Sequence, residues 1–188
     1  MDPLRPPPTA PIFWLPQQDT SVVILASAPA VLRTDTENLS FPAATHVDEQ
    51  GAHSLFDLGN LQSLQLLCLE PVAADAPAAI VPLDITGFDR VEAVLRLLSA
   101  LHGRIVPADA RLTRQQRARA RRMLQAFDGA RAGATQLEIA QVVFRIGSVS
   151  RDEWQRSEAR HAVMALLRDA RAMIAGGYRK LLRHRRRR

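Results

Sequence analysis

The stretch TQLEIAQVVFRIGSVSRDEWQRSEARHAVMALLRDARAMIAGGYRKLL, residues 135–182, decides how this chain reads. Thr135 with Glu138 three residues on, and Ser150 with Glu153, are capping boxes, in which two side chains satisfy backbone N–H groups left orphaned at a helix start. The spacing predicts a helix from Thr135 to about Arg145, with Gly147 after it. A long helix is predicted from Ser150 to about Ala175, closed by Gly176-Gly177, with one more turn over Tyr178–Leu182. Upstream, Thr113 caps a predicted helix that runs to about Phe127 and ends at Gly129. Helix, turn, short capped helix, turn, long capped helix is the plan of a helix-turn-helix unit, although many helical bundles share it.

The long helix divides into two faces. Trp154, Val163, Leu166, Leu167, Ala170, Met173 and Ile174 form an apolar stripe, and Ser157, Arg160, His161, Met164, Arg168 and Arg171 lie opposite. Only the first turns of a recognition helix reach base edges, so Gln155, Arg156, Ser157, Arg160 and His161 are the candidate base readers. Arg168 and Arg171 fit phosphate, as do Arg114, Arg117 and Arg121 on the preceding helix and Arg179 and Lys180 near the end. Arg119 and Arg122 belong to the same basic cluster. Arginines at these spacings fit a solvated face equally well.

Outward from this stretch, charge separates two halves. Residues 1–103 hold four basic and twelve acidic side chains, whereas residues 104–188 hold 21 basic and seven acidic ones, within a formal net charge of +6. The basic half points to a polyanionic partner. Eight of the 12 prolines fall within residues 1–50, and residues 1–11 read as an extended arm. Ile12–Leu15, Ser21–Ser27, His53–Leu58, Leu64–Leu69 and Ala79–Ile85 read as strands, Asp57–Asn60 as a turn and residues 34–53 as a loop. From Val91 to Leu101 the apolar period becomes helical and Gly103 stops it.

The expected fold class is therefore α+β, a small, mostly antiparallel β unit followed by a helix-turn-helix-like domain. The divisions are a proline-rich arm 1–11, an acidic β-rich domain 12–103 ending in a helix, a linker 104–112, a helical DNA-binding domain 113–182 and a basic tail 183–188.

Several function classes find no support. No run approaches the ~18 apolar residues of a membrane span. Cys68 is the only cysteine, so an internal disulfide or a cysteine-based zinc finger is excluded, and its apolar strand suggests a buried thiol. His46, His53, His102, His161 and His184 form no metal-ligand spacing on one helix, and His46 and Asp48 read as solvent-exposed in a loop. No phosphate-binding glycine loop or nucleophile elbow occurs. The chain reads as a non-enzyme with no metal, cofactor or small-molecule substrate, located in the cytoplasm with the nucleoid. RNA binding through the arginine-rich tail lacks aromatic stacking residues to support it.

Residues 112–183 resemble the bacterial RovC-like DNA-binding domain family. The carriers are GATQLEIA (133–140), Trp154 with Ser157, and AMIAGGYRKLL (172–182). Phe13-Trp14 and SVVILAS (21–27) are similar to the upstream half of longer members. The resemblance implies double-stranded DNA as partner and sequence-specific transcriptional regulation, of secretion genes or of a mobile element. Because the family includes antiactivators, it also leaves open a non-catalytic regulator that binds another transcription factor. Self-association or contact with another regulator is then the expected role of the N-terminal half. Its acidic balance would also suit an autoinhibitory dock on the basic half.

Overall fold

The computed structural model describes residues 11–32, 39–59, 62–70 and 77–183. The described residues form two compact units, one of those up to Ala108 together with Leu182 and Arg183, the other Asp109–Leu181. The architecture is α+β, with a mostly antiparallel sheet first and helices after it.

The first unit holds a five-stranded sheet of β1 (Val23–Ser27), β2 (His46–Asp48), β3 (Gly51–Gly59), β4 (Gln62–Cys68) and β5 (Pro77–Ile80), in the spatial order β2-β3-β4-β1-β5. Among the described strands only β1 and β4 pair in parallel, with Val23 opposite Leu66. α1 (Gly87–Leu101) places Ala93 and Leu97 against Val23, Leu25, Leu64 and Leu66, all at most 4% exposed. The other face meets the segment around Trp14, whose N–H donates to Gln65 Oε1 (2.8 Å) while its carbonyl accepts from Gln65 Nε2 (2.9 Å). Cover on both faces fits the continuous apolar run Val23–Ala26 of β1, and in β4 it is met by Leu64 and Leu66 on one face and by Gln65 and Leu67 on the other.

Several element boundaries differ from the sequence reading. Ile12–Leu15 is not a strand, because Pro11 and Pro16 bracket it and the Gln65 amide takes the Trp14 backbone groups instead. β1 starts at Val23 because Asp19 Oδ1 accepts from the Ser21 N–H (2.8 Å) and bends the chain there. The region expected as a loop contains β2, which pairs His46 with His53, while residues 33–38 lie outside the described residues. Gly51 opens β3 at φ 139°, and a Cβ there would come within 2.1 Å of the Cys68 carbonyl oxygen. β5 ends at Ile80, short of the expected Ile85. Cys68 is half-buried, and burial pushes its thiol pKa up. After the second unit the chain returns to the first, where the Thr20 N–H donates to the Leu182 carbonyl (3.3 Å) and Arg183 Nη2 to that of Gln17 (2.8 Å). The rest of the basic tail lies outside the described residues.

The second unit consists of α2 (Arg114–Arg131), α3 (Gln136–Phe144), α4 (Arg151–Arg156) and α5 (Glu158–Ile174), then a 3-10 turn over Gly177–Leu182. Ala126, Ile139, Ala140, Val163, Leu166 and Leu167 form its core, with Trp154 and Phe144 packed on it. Gly129 does not end α2. It lies inside the helix, where a Cβ would sit 3.3 Å from Ile139 Cγ1, so it allows α3 to approach, and Gly133 at φ 89° follows the helix end instead. α3 ends one turn before Gly147, on Arg145 in the left-handed region at φ 56°.

Candidate nucleic-acid interface

All three boxes in the second unit are formed as pairs of reciprocal bonds, Thr113 with Gln116, Thr135 with Glu138, and Ser150 with Glu153. Bonds from the Thr135 backbone N–H and then its hydroxyl hold the Glu138 carboxyl below the usual carboxylate range, and Ser150 does the same for Glu153. These caps fix where α3 and α4 begin, and so which of their side chains face outward.

The predicted long helix is two helices. Ser157 is extended at φ −76°, ψ 141°, ending α4 and capping α5. Its hydroxyl donates to the Trp154 carbonyl (2.9 Å) and accepts from the Arg160 N–H (3.2 Å). The break lets Trp154 fold onto the core from α4 while α5 keeps its own apolar stripe of Val163, Leu166, Leu167 and Ala170. A short capped helix followed directly by a second capped helix leaves the same apolar and polar alternation in sequence as one long helix.

This break separates the candidate base readers. Gln155 and Arg156 are exposed on α4, Ser157 is the junction, and half-buried Arg160 and exposed His161 lie at the start of α5. Arg160 Nη1 reaches the Gln155 carbonyl at 3.4 Å.

The phosphate candidates fall on several surfaces. Arg114, Arg117 and Arg121 are exposed on one stripe of α2, with the Arg117 guanidinium bonded to the Asp109 carbonyl. Arg168 and Arg171 are exposed on α5, and Arg179 and Lys180 on the 3-10 turn. The second unit as a whole holds fifteen basic and seven acidic side chains.

Two grooves bring basic residues together. In the first, Gln136 of α3 meets His161, Met164, Arg168 and Arg171 of α5. In the second, Gln115, Arg119 and Arg122 of α2 face Ala162 and Ala165 of α5. Gln115 and Gln136 have no part in the sequence-derived site, and Arg119 and Arg122 enter it only as members of the basic cluster, not as named phosphate contacts. The signal for the α2 residues was their three- and four-residue spacing, but which stripe of α2 met α5 was set by packing. Asp169 accepts from Arg119 and from Arg168 (3.1 Å), and these bonds lower its pKa. One carboxylate therefore offsets part of the positive charge beside these grooves.

A different cluster arises in the first unit. Pairing of β2 with β3 sets Asp48 Oδ1 3.1 Å from Nε2 of the buried His53, and Asp48 Oδ2 3.9 Å from His46 Nε2. The Gln50 N–H, with help from His53, keeps the Asp48 pKa low. Among the described residues no three His, Cys, Asp or Glu side chains are placed to hold a metal ion, and no helix is long and apolar enough to cross a membrane.

A family model described as the DNA-binding domain of a T6SS transcription factor, RovC, matches residues 80–183, more than half of the chain. Comparison with curated proteins and with solved structures yields no match.

Proposed function

Because the chain belongs to the RovC family of transcription-factor DNA-binding domains, we propose that it is a sequence-specific, non-catalytic regulator that docks its helical unit on duplex DNA. The observation that carries this reading is the exposed basic face of α5, with His161, Arg168 and Arg171 beside Gln136. α5 enters the major groove from its N-terminal end, and Arg160 and His161 read base edges there. Gln155, Arg156 and Ser157 flank the entry. Ser157 acts chiefly by fixing the start of α5, since its hydroxyl is already engaged twice. Arg114, Arg117, Arg121, Arg168, Arg171, Arg179 and Lys180 hold phosphates. The acidic first unit mediates self-association or contact with another regulator, and the targets are secretion or mobile-element genes. The protein acts in the cytoplasm, on the nucleoid.

The test is capture of sheared host genomic DNA by the full chain at ~150 mM salt with competitor DNA, followed by sequencing of the bound fragments. Enrichment of a few sites sharing a motif is the expected outcome. Arg160→Ala then costs roughly 1–3 kcal/mol and relaxes selectivity, whereas Arg121→Ala weakens all sequences alike. An equal loss on every sequence for both variants removes Arg160 from the readers. No enrichment at all transfers the reading to a regulator that acts by binding another transcription factor.

A further inference from the structure

The exposed face of α5 carries a side chain that phosphate binding does not need. His161, Met164, Arg168 and Arg171 follow one another at intervals of three, four and three residues, all exposed, and line one groove with Gln136. Met164, 47% exposed, sits in the middle of this row with Ala165 beside it. On the far side of Ala165 lie Arg119 and Arg122 of α2. The surface is thus a small apolar strip set between hydrogen-bonding and cationic side chains. Those cations make the strip complementary to a polyanion, and a phosphate offers a thioether no partner. The apolar group that a base pair presents in the major groove is the C5-methyl of thymine, next to donors and acceptors on the same edge.

We propose that Met164 and Ala165 read thymine methyl groups, with His161 and Gln136 hydrogen-bonding the neighbouring base pair, so that the DNA site carries thymine opposite the middle of α5. This rests on the DNA-binding reading above and adds to it the residue that sets part of the sequence preference. The contact is specific in chemistry, because removing one methyl from the DNA removes it and changes no hydrogen-bonding group.

The experiment selects a binding sequence from a random duplex pool with the full-length chain, then replaces each thymine in turn by deoxyuridine. One or two positions should bind about fourfold more weakly, as expected for one buried methyl. Met164→Ala, whose fold is checked by circular dichroism, should bind the thymine duplex more weakly and show no further loss with deoxyuridine at the position that Met164 covers. The proposal is overturned if no position responds to deoxyuridine, or if Met164→Ala keeps the same response. Failure to select any sequence has a different meaning, since it overturns the DNA-binding reading itself and this proposal with it.

Discussion

Two sets of arginines in this molecule work in opposite directions. In the first unit Arg90 and Arg96, both on α1, are each 7% exposed. Arg90 donates Nη1 to the Val22 carbonyl (3.2 Å) and Nη2 to that of Pro16 (2.7 Å). Arg96 donates Nε to the Pro107 carbonyl (3.1 Å) and Nη2 to Gln62 Oε1 (2.7 Å). In the second unit Arg114, Arg121, Arg168 and Arg171 are exposed. The guanidinium fork ties irregular backbone to a helix where carbonyls converge on it, and stays at the surface where none do, as Arg168 does beside its neighbour Asp169. Residue type and helical setting are the same in both sets; the acceptors around them are not.

Substitutions can break this contrast, beginning with the largest expected effect. Arg90→Met leaves the Val22 and Pro16 carbonyls without their donor and should cost about 3 kcal/mol in urea denaturation, since each orphaned buried acceptor costs ~1–3 kcal/mol. A stability change below ~0.5 kcal/mol would show that water replaces the guanidinium, and the inward role would fall. Arg168→Ala should do the reverse, leaving stability within ~0.5 kcal/mol of the parent while weakening DNA binding about tenfold in fluorescence anisotropy. A cost in stability instead would make Arg168 structural.

Smaller effects sharpen the second unit. Thr135→Ala removes the start signal of α3 and should cost about 1 kcal/mol by thermal denaturation. Asp169→Asn takes away the carboxylate shared by Arg119 and Arg168, so binding of any duplex should tighten a fewfold, with a steeper dependence on salt. Unchanged affinity would mean that these two arginines do not face the DNA. The lowered pKa values of Glu138 and Glu153 set the sign of the smallest effect. Their contribution is present above the unfolded carboxylate value, near ~4.3, and disappears as pH falls through the lower folded values. Helix content followed by circular dichroism should decline slightly over that acid range, and less so in Thr135→Ala.

The second unit was more legible than the first because its signals are local. Thr113, Thr135 and Ser150 each cap a helix within three residues, and the structure forms all three caps. The glycines misled where they served packing, as Gly129 does against Ile139. Ser157 was invisible as a break because its extended backbone interrupts no periodicity that an eye on apolar spacing would follow. In the first unit the strand runs at β1, β3 and β4 were readable from their apolar content. Their order was not, since the parallel pairing of Val23 with Leu66 joins distant segments. For the same reason the Asp48 pair with His53 and the inward forks of Arg90 and Arg96 left no local trace.

The sequence by itself determined the α+β class, the separation of an acidic from a basic half, the starts of the capped helices and the residues that resemble a DNA-binding family. Each of these is written in residue type and spacing over a few turns. Tertiary structure alone decided which arginines turn inward, where the long apolar stripe divides at Ser157, and which side chains of α2, α3 and α5 share a groove. Those choices depend on the carbonyls and side chains that long-range packing brings within hydrogen-bond reach, and no local pattern encodes such neighbours.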